Sequence, residues 1–278
     1  MGLRGGDPEE IQDPHQESHG QHQLTLNAAL TTWFLVFTRV GAMLTVLPMF
    51  STQMIPVQLR VALGALVALI VTPMLPVVAA DGMSIWLLVK LMFMEVSIGL
   101  LLGFVCRLVF YALEIAGGFI ATEMGLTLPA EFSQLVSGAT MAPGMLLYWI
   151  AMMTMLSLDL HHWMIAGFQK SYALVPFGGA HLQEALLVDV VARSGKVFVL
   201  ALQIAAPVMA VSFLVTVVFA VLGRAVPQMN VFSESFPVRT LLGLIVFGLT
   251  CTFMAQPIAN YLRRLPEDML NVARLAGG

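Results

Sequence analysis

The stretch GRAVPQMNVFSESFPVR, residues 223–239, decides how the C-terminal half of the chain is organised. It holds two prolines, an asparagine, two serines and a glutamate, yet it lies between two of the most apolar runs in the sequence. Proline interrupts helical hydrogen bonding, and asparagine and serine side chains can bond the backbone groups that are set free. The stretch therefore predicts a sharp hairpin tip between two long apolar helices, and the alternative is an ordinary loop.

The composition of the whole chain is that of a membrane protein. Of its 278 residues, 59% are hydrophobic and 10% charged, and the mean hydropathy is +0.88, whereas a soluble domain is about one-quarter charged. With 13 Lys+Arg against 16 Asp+Glu, the net charge is -3, so the chain offers no basic surface for nucleic acid. Its two cysteines, Cys106 and Cys251, lie in apolar runs, and we expect neither a disulfide nor a metal site.

Six apolar segments are long enough to form membrane-spanning helices, which need about 20 residues each. They are residues 26–50, 61–78, 85–109, 141–168, 197–222 and 238–253. Residues 181–196 have the pattern of an amphipathic helix instead. We expect an all-α polytopic chain with a disordered polar tail at 1–25, one membrane domain at 26–265 and a C-terminal tail at 266–278.

Five charged residues interrupt or edge the apolar runs: Arg39, Lys90, Glu95, Arg107 and Glu114. A charge at the bilayer centre costs several kcal/mol, so these side chains should face protein or water. Lys90 and Glu95 share a helix face only loosely, whereas Arg107 and Glu114 share one well. The group could form an ion or proton path, but we favour paired charges inside the protein or between subunits.

Asp159, His161 and His162 form a second polar cluster within an apolar run. An aspartate beside two histidines could be a proton relay or a metal site. Adjacent helical residues point about 100° apart, however, which disfavours two histidines binding one ion. We therefore expect the cluster to end a helix or to bond a neighbouring subunit.

The segment GGFIATEMGLTLPAEFSQLVSG, residues 117–138, combines glycines, a proline and carboxylates that would be costly in hydrocarbon. Irregular backbone at membrane depth is tolerated only where it is buried in protein or lines a water-filled cavity. The residues alone leave two interpretations open, a pore plug or gate and an ordinary connecting loop. The candidate plug residues are Gly117, Gly118, Glu123, Met124, Gly125, Pro129 and Gly138.

No enzyme signature is present in the chain. It contains no HExxH, GxSxG, P-loop or GxGxxG motif, and its few carboxylates are scattered. We therefore expect no catalytic, cofactor-binding or metal-binding residues and no enzymatic activity. An intramembrane hydrolase is a conceivable alternative, but the sequence points to no residue that would serve it.

The quoted stretch resembles the Arg-x-x-Pro-Gln-Met-Asn-Val-Phe…Phe-Pro signature of the flagellar biosynthetic FliR family. Similar blocks occur at residues 39–76, at Met124-Gly125, and where His161 and Trp163 precede Pro176 and Gly178, so that the resemblance runs from about residue 30 to 265. The signature residues expected at the hairpin tip and in subunit packing are Arg224, Pro227, Gln228, Met229, Asn230, Phe232, Phe236 and Pro237, and Val231 also matches the signature.

The resemblance implies a structural and gating subunit of a type III secretion export gate. Members of the family form bent helical hairpins in a multi-subunit helical pore with FliP and FliQ, contacted by FlhB, in the bacterial inner membrane at the flagellar basal body. Unfolded flagellar subunits pass through it, and the family's loop at residues 117–138 projects into the pore, which favours the plug. No cofactor is implied. The alternatives are the homologous injectisome export subunit and a proton- or ion-coupled secondary transporter.

Overall fold

The computed structural model describes residues 14–51, 55–78, 83–126, 142–181, 183–226, 228 and 230–278, with side chains from residue 26 onward except that of Phe232. These residues form α-helices and one 3-10 turn and no strand. The helices are α1 (Pro14–Val46), α2 (Val57–Val71), α3 (Ile85–Glu123), α4 (Ala142–Ser157), α5 (Leu160–Leu174), α6 (Glu184–Ala225) and α7 (Val231–Gly277), and the 3-10 turn is Thr72–Met74.

Helix α3 is the centre of the fold. It packs against α1, α4, α6 and α7, while α7 also contacts α4, α5 and α6, and α2 lies against α1. The most apolar part of α3 is 56% buried within the chain, a larger share than in any other long helix described. The core is therefore built around α3 as a single hydrophobic cluster.

Glycines let α3 approach its neighbours closely. A Cβ at Gly99 would overlap the carbonyl oxygen of Arg39 in α1, and one at Gly103 would lie 2.8 Å from the carbonyl of Met43. A Cβ at Gly117 would overlap the backbone of Gly144 in α4. Such small-residue contacts are how helices in membranes pack backbone to backbone.

The prediction of an all-α membrane protein is confirmed. Five described helices are long and apolar enough to cross a membrane, or six if the bent pair α4 and α5 counts as one span. The element boundaries differ from those predicted. Residues 184–196 of the predicted amphipathic segment form the first part of α6, and the apolar segment 238–253 is only the middle of α7.

Both predicted tails contain helix. Residues 14–25 belong to α1, and residues 266–277 belong to α7 even though Pro266 lies inside the helix. Residues 1–13 of the expected disordered tail lie outside the described residues. Helix α1 thus begins earlier, and helix α7 ends later, than hydropathy alone indicates. The C-terminal part of α7 contains buried residues, and α7 packs against α5.

Candidate functional site

Arg39 and Glu95 form a buried ion pair between α1 and α3. The Arg39 Nε donates to Glu95 Oε2 at 2.6 Å, and the second bond, from Nη2 to Oε1, is 3.0 Å long. Both side chains are 1% exposed. A bidentate guanidinium–carboxylate pair is the arrangement in which two buried charges best offset the cost of leaving water.

Helix α5 and the loop after it complete the surroundings of this pair. Arg39 also donates to Ser171 Oγ at 3.3 Å and to the Val175 carbonyl at 3.1 Å, and its guanidinium lies 3.9 Å from the centre of the Tyr172 ring. The backbone of Gly178 is hydrogen-bonded to Glu95. The pair therefore joins α1, α3, α5 and the following turn into one unit, which we call the Arg39 cluster.

The other three charges predicted to be buried and paired are placed differently. Lys90 and Glu114 are exposed on the single chain. Arg107 is half-buried, with its guanidinium 4.8 Å from the centre of the Tyr111 ring. The structure thus brings Arg39 and Glu95 together, and the pairing of Lys90, Arg107 and Glu114 within the protein or with neighbouring subunits stays a prediction.

The end of α3 is defined by a glycine. Gly125 has a φ of 71°, its N–H donates to the Thr122 carbonyl at 3.0 Å, and the Leu126 N–H donates to the Ala121 carbonyl at 2.8 Å. This is the Schellman pattern, in which a left-handed glycine satisfies the last carbonyls of a helix. Glycine adopts that conformation at the least cost, so Gly125 fixes the place where α3 ends.

The α6–α7 hairpin holds this end of α3 in place. Ser212 Oγ of α6 donates to the Glu123 carbonyl at 3.1 Å, and Thr240 Oγ1 of α7 donates to the Met124 carbonyl at 2.7 Å. Met124 is 1% exposed and packs against Gly243, where a Cβ would lie 2.5 Å from its Cγ. We call this arrangement the α3 anchor.

Phe236 brings the predicted hairpin tip and the predicted plug together. A Cβ on Gly125 would lie 2.7 Å from a carbon of the Phe236 ring, so the ring rests directly on this glycine. Phe236 itself is 40% exposed. Two groups of residues singled out separately in the sequence are therefore neighbours in the fold.

The hairpin tip is shorter than predicted. Asn230 caps α7, its Oδ1 accepting from the Ser233 N–H at 3.4 Å, while Ser233 Oγ donates to the Asn230 carbonyl at 3.2 Å. Pro237 was expected to break the helix but lies inside α7, because the helix starts at Val231 and continues through it. Pro227 and Met229, and the side chain of Phe232, lie outside the described residues. Arg224 lies in the last turn of α6 and Gln228 is exposed.

The irregular segment also begins later than predicted. Gly117, Gly118 and Glu123 are helical residues of α3. Gly117 does not break the helix but allows close packing on α4. Pro129 and Gly138, the remaining candidate plug residues, lie outside the described residues. Whether the segment 117–138 is a plug therefore stays a prediction, and the part of it that follows the end of α3 lies within residues 127–141, outside the described residues.

Asp159, His161 and His162 lie at a sharp corner of the chain. Helices α4 and α5 meet at an angle of 73°, and Asp159 stands in the break with a φ of 53°. The prediction that this cluster ends a helix is confirmed, since α4 ends at Ser157 and α5 begins at Leu160. The ring centres of His161 and His162 are 4.0 Å apart, although adjacent helical residues point about 100° apart.

Several contacts in these sites could not be read from the sequence. Ser171, Tyr172 and Thr240 carry no distinguishing motif, and their partners lie more than a hundred residues away along the chain. A usable signal did exist for Arg39 and Glu95, because each is an isolated charge of opposite sign in an apolar run. Spacing within one helix compares Glu95 only with Lys90 and cannot report a contact with Arg39 on another helix.

Comparison with known proteins shows which family the chain matches. Residues 30–265 match the family described as bacterial export proteins, family 1. The chain is similar to the flagellar biosynthetic protein FliR of Caulobacter vibrioides, with 32% identity over 235 residues that cover 83% of this chain and 92% of that protein. It is 26% identical to the FliR of Pectobacterium carotovorum, covering 87% of this chain and 92% of that protein, and 26% identical to that of Bacillus subtilis, covering 88% and 95%.

Proposed function

This chain belongs to the bacterial export proteins, family 1, and we propose that it is a structural and gating subunit of the flagellar type III protein export channel. Its place in the family and its FliR relatives make it a component of flagellar export, and its apolar helices place it in a membrane. The finer location would be the bacterial inner membrane at the flagellar basal body. The proposed cargo is unfolded flagellar subunits on their way to assembly.

The proposed partners are homologues of FliP, FliQ and FlhB in one hetero-oligomeric complex. Exposed apolar side chains along α6 and α7 support this, because the apolar parts of these helices are only 28% and 22% buried within the chain. Lys90 and Glu114 are exposed on α3 as well. In the assembly, helices of neighbouring subunits would cover this surface and give the exposed charges partners.

The α3 anchor is the observation that carries the gating role. It holds the end of α3 by hydrogen bonds from two different helices, from Ser212 on α6 to the Glu123 carbonyl and from Thr240 on α7 to the Met124 carbonyl. A movement of the hairpin would therefore move the start of the 127–141 segment directly. Export cargo would have to displace the plug for the proposed channel to open. The α3 anchor would connect that displacement to a movement of the α6–α7 hairpin.

The segment 127–141 would act as the plug in this arrangement. It contains Pro129, Glu131 and Gln134, residues that suit a water-accessible passage better than lipid. Closed and open states would then differ in the position of this segment, which a movement of the α6–α7 hairpin would shift through the α3 anchor.

Membrane conductance tests this proposal. The 127–141 segment is replaced by a Gly-Ser linker of equal length, and the complex is expressed in cells or reconstituted in vesicles. We expect assembly to persist and ion leakage to increase, because the helices that contact α3 are unchanged. Unchanged conductance in an assembled complex would contradict the plug.

Substitution of a buried methionine in the α3 anchor tests its role in gating, with an exposed methionine as the matched control. Met124→Ala removes the side chain that packs on Gly243, whereas Met153, on α4, is 59% exposed. We expect Met124→Ala to raise leakage and reduce secretion of flagellar subunits into the medium, and Met153→Ala to do neither. Equal effects of the two changes would show that the anchor has no special part in gating.

The Arg39 cluster argues against the alternative of an ion-coupled transporter. A charge pair that serves as a translocation pathway must exchange partners with water or an ion, whereas Arg39 and Glu95 are both 1% exposed and bonded to each other. Further contacts to Ser171 and Val175 hold Arg39 in place. Transport by the isolated chain in liposomes would favour the alternative.

A further inference from the structure

We infer that Asp159, His161 and His162 form a binding site for a divalent zinc ion at the corner between α4 and α5. Each residue offers one ligand atom, and these three atoms all lie within 4.8 Å of one another. One carboxylate oxygen and two imidazole nitrogens are a common protein donor set for Zn²⁺, with water in the fourth position. This site does not depend on the proposed export function.

The distance between the Asp159 and His162 ligand atoms is close to that in a bound site. Asp159 Oδ1 lies 3.7 Å from His162 Nδ1. Zinc–ligand bonds of about 2.0–2.1 Å in a tetrahedron place neighbouring ligand atoms roughly 3.3 Å apart. Because the Asp159 and His162 side chains are 74% and 71% exposed, both can rotate by that amount without disturbing the core.

None of the three side chains is committed to another role among the described residues. Asp159 precedes α5 in the capping position but makes no side-chain capping bond. His161 Nδ1 is buried and has no hydrogen-bond partner. An unpaired buried imidazole nitrogen is unfavourable, and a metal ion bound to the ring would fix its protonation state and orientation.

Electrostatics make Asp159 the decisive ligand. The N-terminus of α5 carries the positive end of the helix dipole, which disfavours a cation beside two neutral imidazoles. The negative charge of Asp159 offsets that field. We therefore expect the loss of the carboxylate to weaken zinc binding more than the loss of either histidine.

The bound ion would stabilise the corner itself. Asp159 occupies the left-handed region with a φ of 53° and a ψ of 25°, a conformation that is uncommon for residues other than glycine. A metal bond to Asp159 and two further bonds to the first turn of α5 would hold this conformation. The 73° angle between the two helices would then be less free to open.

Zinc titration of the full chain in detergent tests the site. The sequence also holds His15, His19 and His22, so these are changed to Gln in every variant to remove a competing site. Zn²⁺ affinity is measured by competition with a chromophoric chelator, and Co²⁺ absorption reports the coordination geometry. We expect one ion per chain.

Three variants and one control decide the outcome. Loss of an outer-shell partner of a metal typically weakens binding about 10–100-fold. We therefore expect Asp159→Asn, His161→Gln and His162→Gln each to weaken zinc binding at least about tenfold. Asp159→Asn should have the largest effect. His181→Gln, which changes an exposed histidine elsewhere, should have no effect. Circular dichroism verifies that each variant is folded.

Two results would overturn the inference. The first is zinc affinity that is unchanged in Asp159→Asn and His162→Gln. The second is an equal loss of affinity in His181→Gln, which would place the ion elsewhere. A melting temperature that rises with Zn²⁺ in the parent and not in Asp159→Asn would support stabilisation of the corner.

Discussion

The Arg39 cluster and the α6–α7 hairpin differ in how far their side chains are buried within the chain. Around Arg39, each charge has a partner within the chain and the side chains are almost completely buried. Along the hairpin, many large apolar side chains are exposed, among them Leu241, Leu249 and Phe253. The first region has its polar partners within the chain, whereas the second exposes apolar surface that lipid or, in the proposed complex, neighbouring subunits would cover.

This contrast predicts where substitutions act. Changes in the Arg39 cluster should lower the stability of the chain itself. Changes on the exposed face of the hairpin should leave the chain stable and reduce its association with other proteins. Four predictions test this contrast, in order of decreasing effect on stability.

Arg39→Ala should have the largest effect. It leaves the carboxylate of Glu95 buried without its partner, which costs about 3–5 kcal/mol of unfolding free energy in comparable pairs. The measurement is equilibrium unfolding of the purified chain in mixed micelles, followed by circular dichroism. Lys90→Ala, at an exposed charge on the same helix as Glu95, is the control and should change stability by less than about 0.5 kcal/mol. A similar loss in both variants would contradict the contrast.

Gly117→Ala should have the next largest effect. The added Cβ would overlap the backbone of Gly144, so α3 and α4 must separate, at about 1–3 kcal/mol. Gly118 is the matched control, because a Cβ there meets nothing within 4 Å. Gly118→Ala should be neutral or stabilising by up to about 1 kcal/mol, since alanine favours helix. Equal behaviour in the same unfolding assay would refute close packing at Gly117.

Asn230→Ala should have a smaller and local effect. Loss of the side-chain acceptor at the start of α7 is expected to cost about 1 kcal/mol. Amide hydrogen exchange at Ser233 measures it directly, because that N–H loses its partner. Asn230→Asp keeps an acceptor and should retain protection, and exchange that is equally fast in both variants would argue that the cap contributes nothing.

Phe253→Gln should hardly change the stability of the chain. The side chain is 77% exposed, and surface changes usually fall within about 0.5 kcal/mol. The yield of co-purified partner proteins should fall nonetheless, because an apolar contact of the hairpin is lost. Phe247, on the same helix but 5% exposed, is the control, and its replacement by Gln should destabilise the chain itself. An unchanged complex with Phe253→Gln would remove this face from the interface.

Hydropathy predicts the fold class well because the apolar runs are long and loops interrupt them with proline and polar residues. It predicts helix boundaries poorly where prolines are tolerated. Pro207 lies inside α6, and Pro237, Pro257 and Pro266 lie inside α7, without ending either helix. Tertiary contacts along these long helices outweigh the local cost of each proline.

The candidate site was predictable only in part. The residues Met124, Gly125 and Phe236 were singled out from the sequence, but their contact was not, because it joins segments more than a hundred residues apart. The partners of Arg39 were missed as well, because they lie on other helices, 56 residues away for Glu95 and 132 for Ser171. Sequence patterns report spacing within a helix, and these sites are made between helices.

Native mass spectrometry of the tagged chain, purified in mild detergent, tests the central claim most directly. The export-subunit account predicts a large complex of fixed composition that contains this chain with two other small hydrophobic proteins, the homologues of FliP and FliQ. A stable monomer or homodimer would contradict it, since the exposed apolar surface of α6 and α7 would then need no other subunit to cover it.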